Sequence, residues 1–137
     1  MNEVRVRGII FHQDAIIVIK RRRIVDNKYI EYYVFPGGGM ETGENEENAL
    51  KREICEELGI KVKINKKVYE DVFNGDIHKY FVCEYESGVL GTGNGPEFSS
   101  EKYKDRGEYI PVAVSIKNLA NINLEPYSIR DKITIDF

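Results

Sequence analysis

The stretch GGGMETGENEENALKREICEELGI, from Gly37 to Ile60, constrains this chain more than any other. Its second half reads as a helix starting near Asn45. Leu50, Ile54 and Leu58 recur every four residues, and Gly59 follows where a left-handed C-terminal cap is usual. On that helix Glu53, Glu56 and Glu57 stand at spacings i, i+3 and i+4, so three carboxylates crowd one face within a turn. Like charges so placed repel, and the helix gains nothing structural from them. A hard divalent cation reverses the sign of that interaction, because Mg²⁺ or Mn²⁺ takes oxygen ligands and shares them with substrate phosphates. The stretch therefore points to a metal and, through it, to phosphate.

Strand-like runs surround it. Val4 to Phe11 begins as an alternation and suits a half-exposed strand, while Ala15 to Ile19 is a continuous apolar run that suits a buried one. Arg21, Arg22 and Arg23 are expected to close the second strand, and a solvated strand end is their plainest role. Tyr29 to Phe35 is β-branched and aromatic, and Pro36 with its glycines ends it abruptly. Val62 to Phe73 and Ile77 to Tyr85 flank Asn74-Gly75-Asp76, a hairpin signal, and their imperfect alternation predicts bulges. Glu86 to Glu108 loses regular patterning, and a loop that long is usually functional or mobile. Tyr109 to Val114 resumes as a strand that Pro111 confines to an edge or a strand start. Short helical segments are expected at Ile116 to Leu119 and from Pro126 onward, with Pro at the first helical position.

At 137 residues and 42% hydrophobic composition, the chain reads as one domain over residues 1–137 with a genuine core. A net charge of −3 makes nucleic acid an unlikely general partner, leaving only a local patch at Arg21 to Arg23. No apolar run reaches the roughly 20 residues of a membrane helix, and MNEVRVRG lacks a signal peptide's apolar core, so a cytoplasmic location without membrane contact is expected. Cys55 and Cys83 form neither a CxxC pair nor a disulfide framework, and are expected to be reduced packing residues.

Hydrolysis of a phosphoric anhydride needs neutralised phosphate charge, a positioned and deprotonated water, and backbone that can approach anionic oxygens. Glu56 and Glu57, with Glu53 a turn earlier, can hold one or more cations, and a carboxylate left uncoordinated can take the proton from water. Gly37, Gly38 and Gly39 leave room for substrate or for a main-chain carbonyl ligand. Arg52 is placed to hold and orient carboxylates. In the long loop, Tyr103 could stack on a base and Arg106 pair with a phosphate, although surface positions are the plainer reading of both. His12 and His78 carry no assigned role.

Gly38, Glu44, Arg52, Glu53, Ile54, Glu56, Glu57, Gly59 and Ile60, at these spacings, resemble a complete Nudix box from Gly38 to Ile60, with no departure inside the motif. Phe35-Pro36-Gly37 is similar to the usual lead-in, with Tyr33 where many members carry Trp. The resemblance to this MutT-like family implies an α/β/α sandwich with a mixed, curved β-sheet. It implies divalent-metal-dependent hydrolysis of a diphosphate linkage in a nucleoside diphosphate derivative or a nucleoside triphosphate, with Mg²⁺ as cofactor and Mn²⁺ as an alternative. By the same likeness Glu56 and Glu57 are the principal metal ligands, Glu53 a further ligand or the general base, Glu44 and Arg52 supports, and the Gly37 carbonyl an additional ligand. Glu97 is the candidate acidic ligand from the long loop, with Glu101 behind it. Substrate contacts are expected at Gly38, Gly39, Arg21, Arg22, Tyr103 and Arg106. Asn74 and Gly75 occupy the position where ADP-ribose enzymes of the family often carry Pro, which disfavours ADP-ribose. A homodimer is compatible with the family. The alternative is a Nudix domain that senses nucleotides or binds protein without turnover, which usually shows a damaged box.

Overall fold

The computed structural model describes residues 3–92 and 107–137. The first strand, β1 (Val4–His12), organises the sheet because both its faces are covered: Val6 and Ile10 are fully buried on one side and Ile9 on the other. One edge of β1 pairs in parallel with β6 (Asp76–Gly88) from Val4 to Phe11. The other edge changes partner midway. Arg5 to Arg7 pair with β4 (Gly37–Gly39), and Ile10 to His12 pair with β2 (Ala15–Val25), both antiparallel. Beyond that junction β2 pairs with β3 (Lys28–Val34) on the side it shares with β1, and with β7 (Glu108–Ser115) along its opposite edge. The hairpin partner of β6 is β5 (Ile60–Phe73), and a two-residue strand, β8 (Leu124–Glu125), adds a parallel rung to Tyr33 and Val34.

Two helical layers close this mixed sheet. Helix α1 (Glu46–Leu58) lays Ala49, Leu50, Ile54 and Leu58 against Val6, Ile10, Ile17, Ile19, Phe81 and Cys83. On the opposite face a 3₁₀ helix (Ile116–Asn121) and α2 (Tyr127–Asp136) bring Leu119, Ile129 and Ile133 onto Ile9, Ile16, Val18 and Tyr80. Alternation along β2 feeds both layers, Ile17 and Ile19 to one and Ile16 and Val18 to the other. The result is an α/β/α sandwich. Packing decides the fate of α1. Burying Leu50, Ile54 and Leu58 contributes roughly 6 kcal/mol on transfer grounds, whereas each like-charge pair costs only a few tenths of a kcal/mol. Asn45 caps the helix, its Oδ1 accepting from the Asn48 amide at 2.8 Å, and Gly59 ends it at φ 76°. Among the described residues no helix is long and apolar enough to cross a membrane.

Several expectations need correction. Arg21, Arg22 and Arg23 do not close the second strand, which continues to Val25 because β3 and β7 supply partners on both edges. The glycines after Pro36 are a paired strand, since the edge of β1 offers hydrogen bonds that require no side chain. Pro126 precedes α2 as its N-cap and is not the first helical residue. Cys55 is exposed and is no packing residue, while Cys83 is buried and its thiol is pushed up to about 12 by that burial. One thiol per native chain is therefore expected to react with a thiol reagent near neutral pH, and two after denaturation. Two fast equivalents in the native protein would contradict the burial of Cys83. The Asn74-Gly75 hairpin and the β5 bulges appear as expected.

Candidate active site

The glycine strip exists to let α1 come close. A Cβ on Gly37, whose φ is 139°, would stand 1.9 Å from the Val6 carbonyl oxygen. A Cβ on Gly38 would stand 2.7–2.9 Å from the carboxyl atoms of Glu53. The space that these residues leave is thus taken by β1 on one side and by a carboxylate of α1 on the other. Glu57, in the last turn of α1 and only 6% exposed, accepts a hydrogen bond from the Gly37 amide at 2.7 Å through Oε1. That is a short charge-assisted bond, and it fixes a carboxylate that α1 alone leaves free to turn.

Arg52 gathers the other carboxylates. Its Nε and Nη2 donate to Glu44 at 2.7 and 2.9 Å, a bidentate pair, and Nη2 also donates to the Gly39 carbonyl at 3.1 Å. Its Nη1 reaches Glu53 at 3.0 Å and Glu56 at 3.3 Å, so these two carboxylates converge on one nitrogen. Glu44 also accepts from the Glu41 amide at 2.8 Å. Arg52 first, and then that amide, hold the Glu44 carboxyl below the usual carboxylate range, so it stays ionised. The same bond raises the Arg52 guanidinium above its ordinary value. Replacing Arg52 by Lys keeps the charge but gives up the planar fork. The expected result is a 10- to 100-fold loss of turnover, on the scale of other groups that orient ligands, with thermal stability little changed. Full activity would show that the fork is dispensable.

Sequence reasoning missed Arg7 and His78. Arg7 Nη1 donates to the carbonyls of Phe35 and Gly37, each at 3.2 Å, and its Nε donates to His78 Nδ1 at 3.3 Å. Burial lowers the Arg7 value against the pull of Glu57. Burial, and then Arg7, also lower His78, which keeps the ring neutral and Nδ1 an acceptor. The available signal was an arginine between Val6 and the apolar run that follows, read as the outward side of a half-exposed strand.

The predicted arginines differ in their surroundings. The Arg21 guanidinium lies 3.7 Å from the centre of the Tyr109 ring and 5.8 Å from that of Tyr32. Alternation from Ile17 and Ile19 puts Arg21 on the α1 side of the sheet, where Tyr109 packs at the rim of the core. Arg22 lies on the other side, in ion pairs with Glu31 at 3.3 Å and Glu108 at 3.6 Å. Glu97, Tyr103 and Arg106 fall outside the described residues.

Among the described residues, no three His, Cys, Asp or Glu side chains already stand in ligating positions. The donor set nevertheless suits a hard cation. Glu44, Glu53, Glu56 and Glu57 offer only oxygen, with Arg52 against the first three and Arg7 near Glu57 and Glu53. Glu56, with 37% of its side chain exposed, is more accessible than Glu53, at 16%.

The model of the NUDIX domain family matches residues 1–119. The chain is 33% identical over 106 residues to an RNA pyrophosphohydrolase of Campylobacter jejuni, covering 64% of this chain and 64% of that protein. It is 41% identical over 97 residues to an ADP-ribose pyrophosphatase of Methanocaldococcus jannaschii, covering 66% of this chain and 56% of the relative. The chain thus spans less than two thirds of either relative's length. A solved structure of MutT, from work on Aliivibrio salmonicida and Vibrio cholerae, superposes with a TM-score of 0.73 at 25% identity and 100% coverage of both chains.

Proposed function

The chain belongs to the Nudix family, and on that premise we propose that it hydrolyses a diphosphate linkage in a nucleoside diphosphate derivative or a nucleoside triphosphate, using Mg²⁺ or, in its place, Mn²⁺. The observation that carries this reading is the seating of Glu53 and Glu57 against the glycine strip, with Arg52 Nη1 holding Glu53 and Glu56 together beside it. Glu56 and Glu57 are the residues that would hold the cation, with Glu53 and the Gly37 carbonyl as further donors. Bound there, such a cation neutralises phosphate charge and makes water more acidic.

The remaining work falls to the chain. Glu57 is held in one orientation by the Gly37 amide, so little reorganisation is needed when substrate arrives. Glu53, resting against Gly38, accepts the proton of the attacking water when it is not itself a ligand. Arg52 and Glu44 keep the helix face and the strip in register. Arg21, stacked on Tyr109 on the same side of the sheet, offers a flat cationic surface to a base or a phosphate. Glu97, Tyr103 and Arg106 remain proposed as a further ligand and as substrate contacts.

An intact carboxylate set argues against a domain kept only for sensing. The substrate class is open between small nucleotides and RNA 5′ ends, and ADP-ribose stays within it. Asn74 and Gly75 adopt φ 52° and 84°, a turn that Pro cannot enter, so hairpin geometry alone explains the missing Pro. The test is a panel of ADP-ribose, nucleotide sugars, dinucleoside polyphosphates, nucleoside triphosphates including 8-oxo-dGTP, and 5′-triphosphorylated RNA. Release of monophosphate, pyrophosphate or phosphate is followed with Mg²⁺ or Mn²⁺. Turnover of at least one class, silenced by EDTA and restored by excess metal, is expected. No turnover with either metal at neutral or alkaline pH overturns the enzyme reading in favour of the sensor.

A further inference from the structure

The segment Phe35-Pro36-Gly37 carries three consecutive carbonyls, and all of them accept from two adjacent residues of β1. Arg7 Nη1 takes the carbonyls of Phe35 and Gly37 at 3.2 Å each, and the Gly8 amide takes that of Pro36 at 2.9 Å. Gly37 in turn gives its amide to Glu57 at 2.7 Å. One residue thus has its carbonyl on Arg7 and its amide on the carboxylate expected to ligate metal. Gly37 sits at φ 139° at the start of β4, opposite Arg7 in the β1 ladder, so the side chain of Arg7 adds to the main-chain pairing at the residue where the strand begins. Arg7 is itself fixed from behind, since Nε donates to His78 Nδ1 at 3.3 Å and His78 is 5% exposed.

We infer that Arg7 is a positioning residue for the cation site: it clamps the Phe35–Gly37 turn so that the Gly37 amide holds Glu57 in its ligating orientation. This rests on the metal-dependent reading above and reaches outside the family motif, which begins at Gly38. Charge and geometry make opposite predictions for this residue. A guanidinium near Glu57 and Glu53 disfavours a second cation there by charge alone, so removing it should tighten metal binding if charge were its only effect. Removing a clamp should weaken binding. A small cavity bordered by Arg7, Phe35, Phe73, His78 and Tyr80 lies beside the guanidinium and gives a shorter side chain room to settle without displacing the sheet.

The experiment compares wild type with Arg7→Met, Arg7→Gln and Arg7→Lys through Mn²⁺ binding to the substrate-free protein, the Gly37 amide proton shift, and steady-state kinetics. Arg7→Met is expected to bind Mn²⁺ about 10- to 100-fold more weakly. Its Gly37 amide resonance should move upfield as the bond to Glu57 lengthens. Its kcat should fall by about 100-fold with little change in KM, the cost of a misplaced group. Arg7→Lys, which keeps a donor, should recover part of all three. Arg7→Gln, a neutral side chain whose amide ends near the place of Arg7 Nε and short of the two carbonyls, decides the matter should Arg7→Met fail to fold, and weaker Mn²⁺ binding is expected there too. Unchanged or tighter Mn²⁺ binding in any folded variant that lacks the charge overturns the inference. A wild type that turns over no substrate yet binds Mn²⁺ refutes the proposed activity, while the Mn²⁺ and amide measurements still decide the role of Arg7.

Discussion

Glu57→Gln is expected to lower turnover by on the order of 1,000-fold, the scale of losing a preorganised charged group at a reacting centre. The substitution keeps the volume of the side chain, and its amide oxygen can still accept from Gly37, so the contact at 2.7 Å survives in outline. What disappears is the negative charge, at a carboxylate that is 6% exposed and cannot be replaced by solvent. Arg7 also loses the pull of the Glu57 charge, which costs some stability but leaves its two carbonyl acceptors and His78 in place. The melting temperature should therefore shift by only a few degrees while activity collapses. Activity within tenfold of wild type would remove Glu57 from the ligand set.

Gly37→Ala is the corresponding prediction for stability. The added methyl meets a backbone oxygen at 1.9 Å, and backbone, unlike the end of a side chain, cannot step aside without moving β1. The φ of 139° adds strain of its own for any residue with a Cβ. Together these should cost about 4 kcal/mol, lowering the melting temperature by roughly 15 °C. Gly39→Ala is the control, since a Cβ there has nothing within 4 Å. Its cost should stay near the level of an ordinary surface change. Equal melting temperatures for the two variants would show that β4 does not need the close approach to β1.

These two residues mark what the amino-acid order reveals and what it hides. Helix α1 was legible because its signals are local: a period-four apolar stripe and a terminal Gly. That Glu53 and Glu56 share a face was legible because helical spacing is a local rule, and Arg52 Nη1 reaches both. Strand β4 was not, since three glycines have no side chains to declare an alternation and their pairing is dictated by the free edge of β1. The length of β2 was hidden for a similar reason. Arg21 and Arg22 look like a strand end until Tyr32, Tyr109, Glu31 and Glu108 arrive from other strands to receive them. Arg7 and His78 were missed because each is polar in its own strand, and only the register that sets Arg7 opposite Gly37 gives the arginine its acceptors. Strand β8 is two residues long and forms only because Tyr33 and Val34 offer an open edge.

The way β1 divides its edge between β4 and β2 has a consequence for how such a domain can diversify. The carboxylate-bearing face is fastened to β1 through β4 and α1, whereas the chain between Gly88 and Glu108 leaves the sheet opposite Ile60 and rejoins it opposite Arg22. Lengthening that span adds only about 0.6 kcal/mol of closure entropy per doubling, and none of its anchors touches the glycine strip. A lineage can therefore lengthen the span at little cost in closure entropy while α1 stays fastened through β4, provided the part that meets the end of α1 is kept, where the Gly91 amide donates to the Leu58 carbonyl at 3.0 Å.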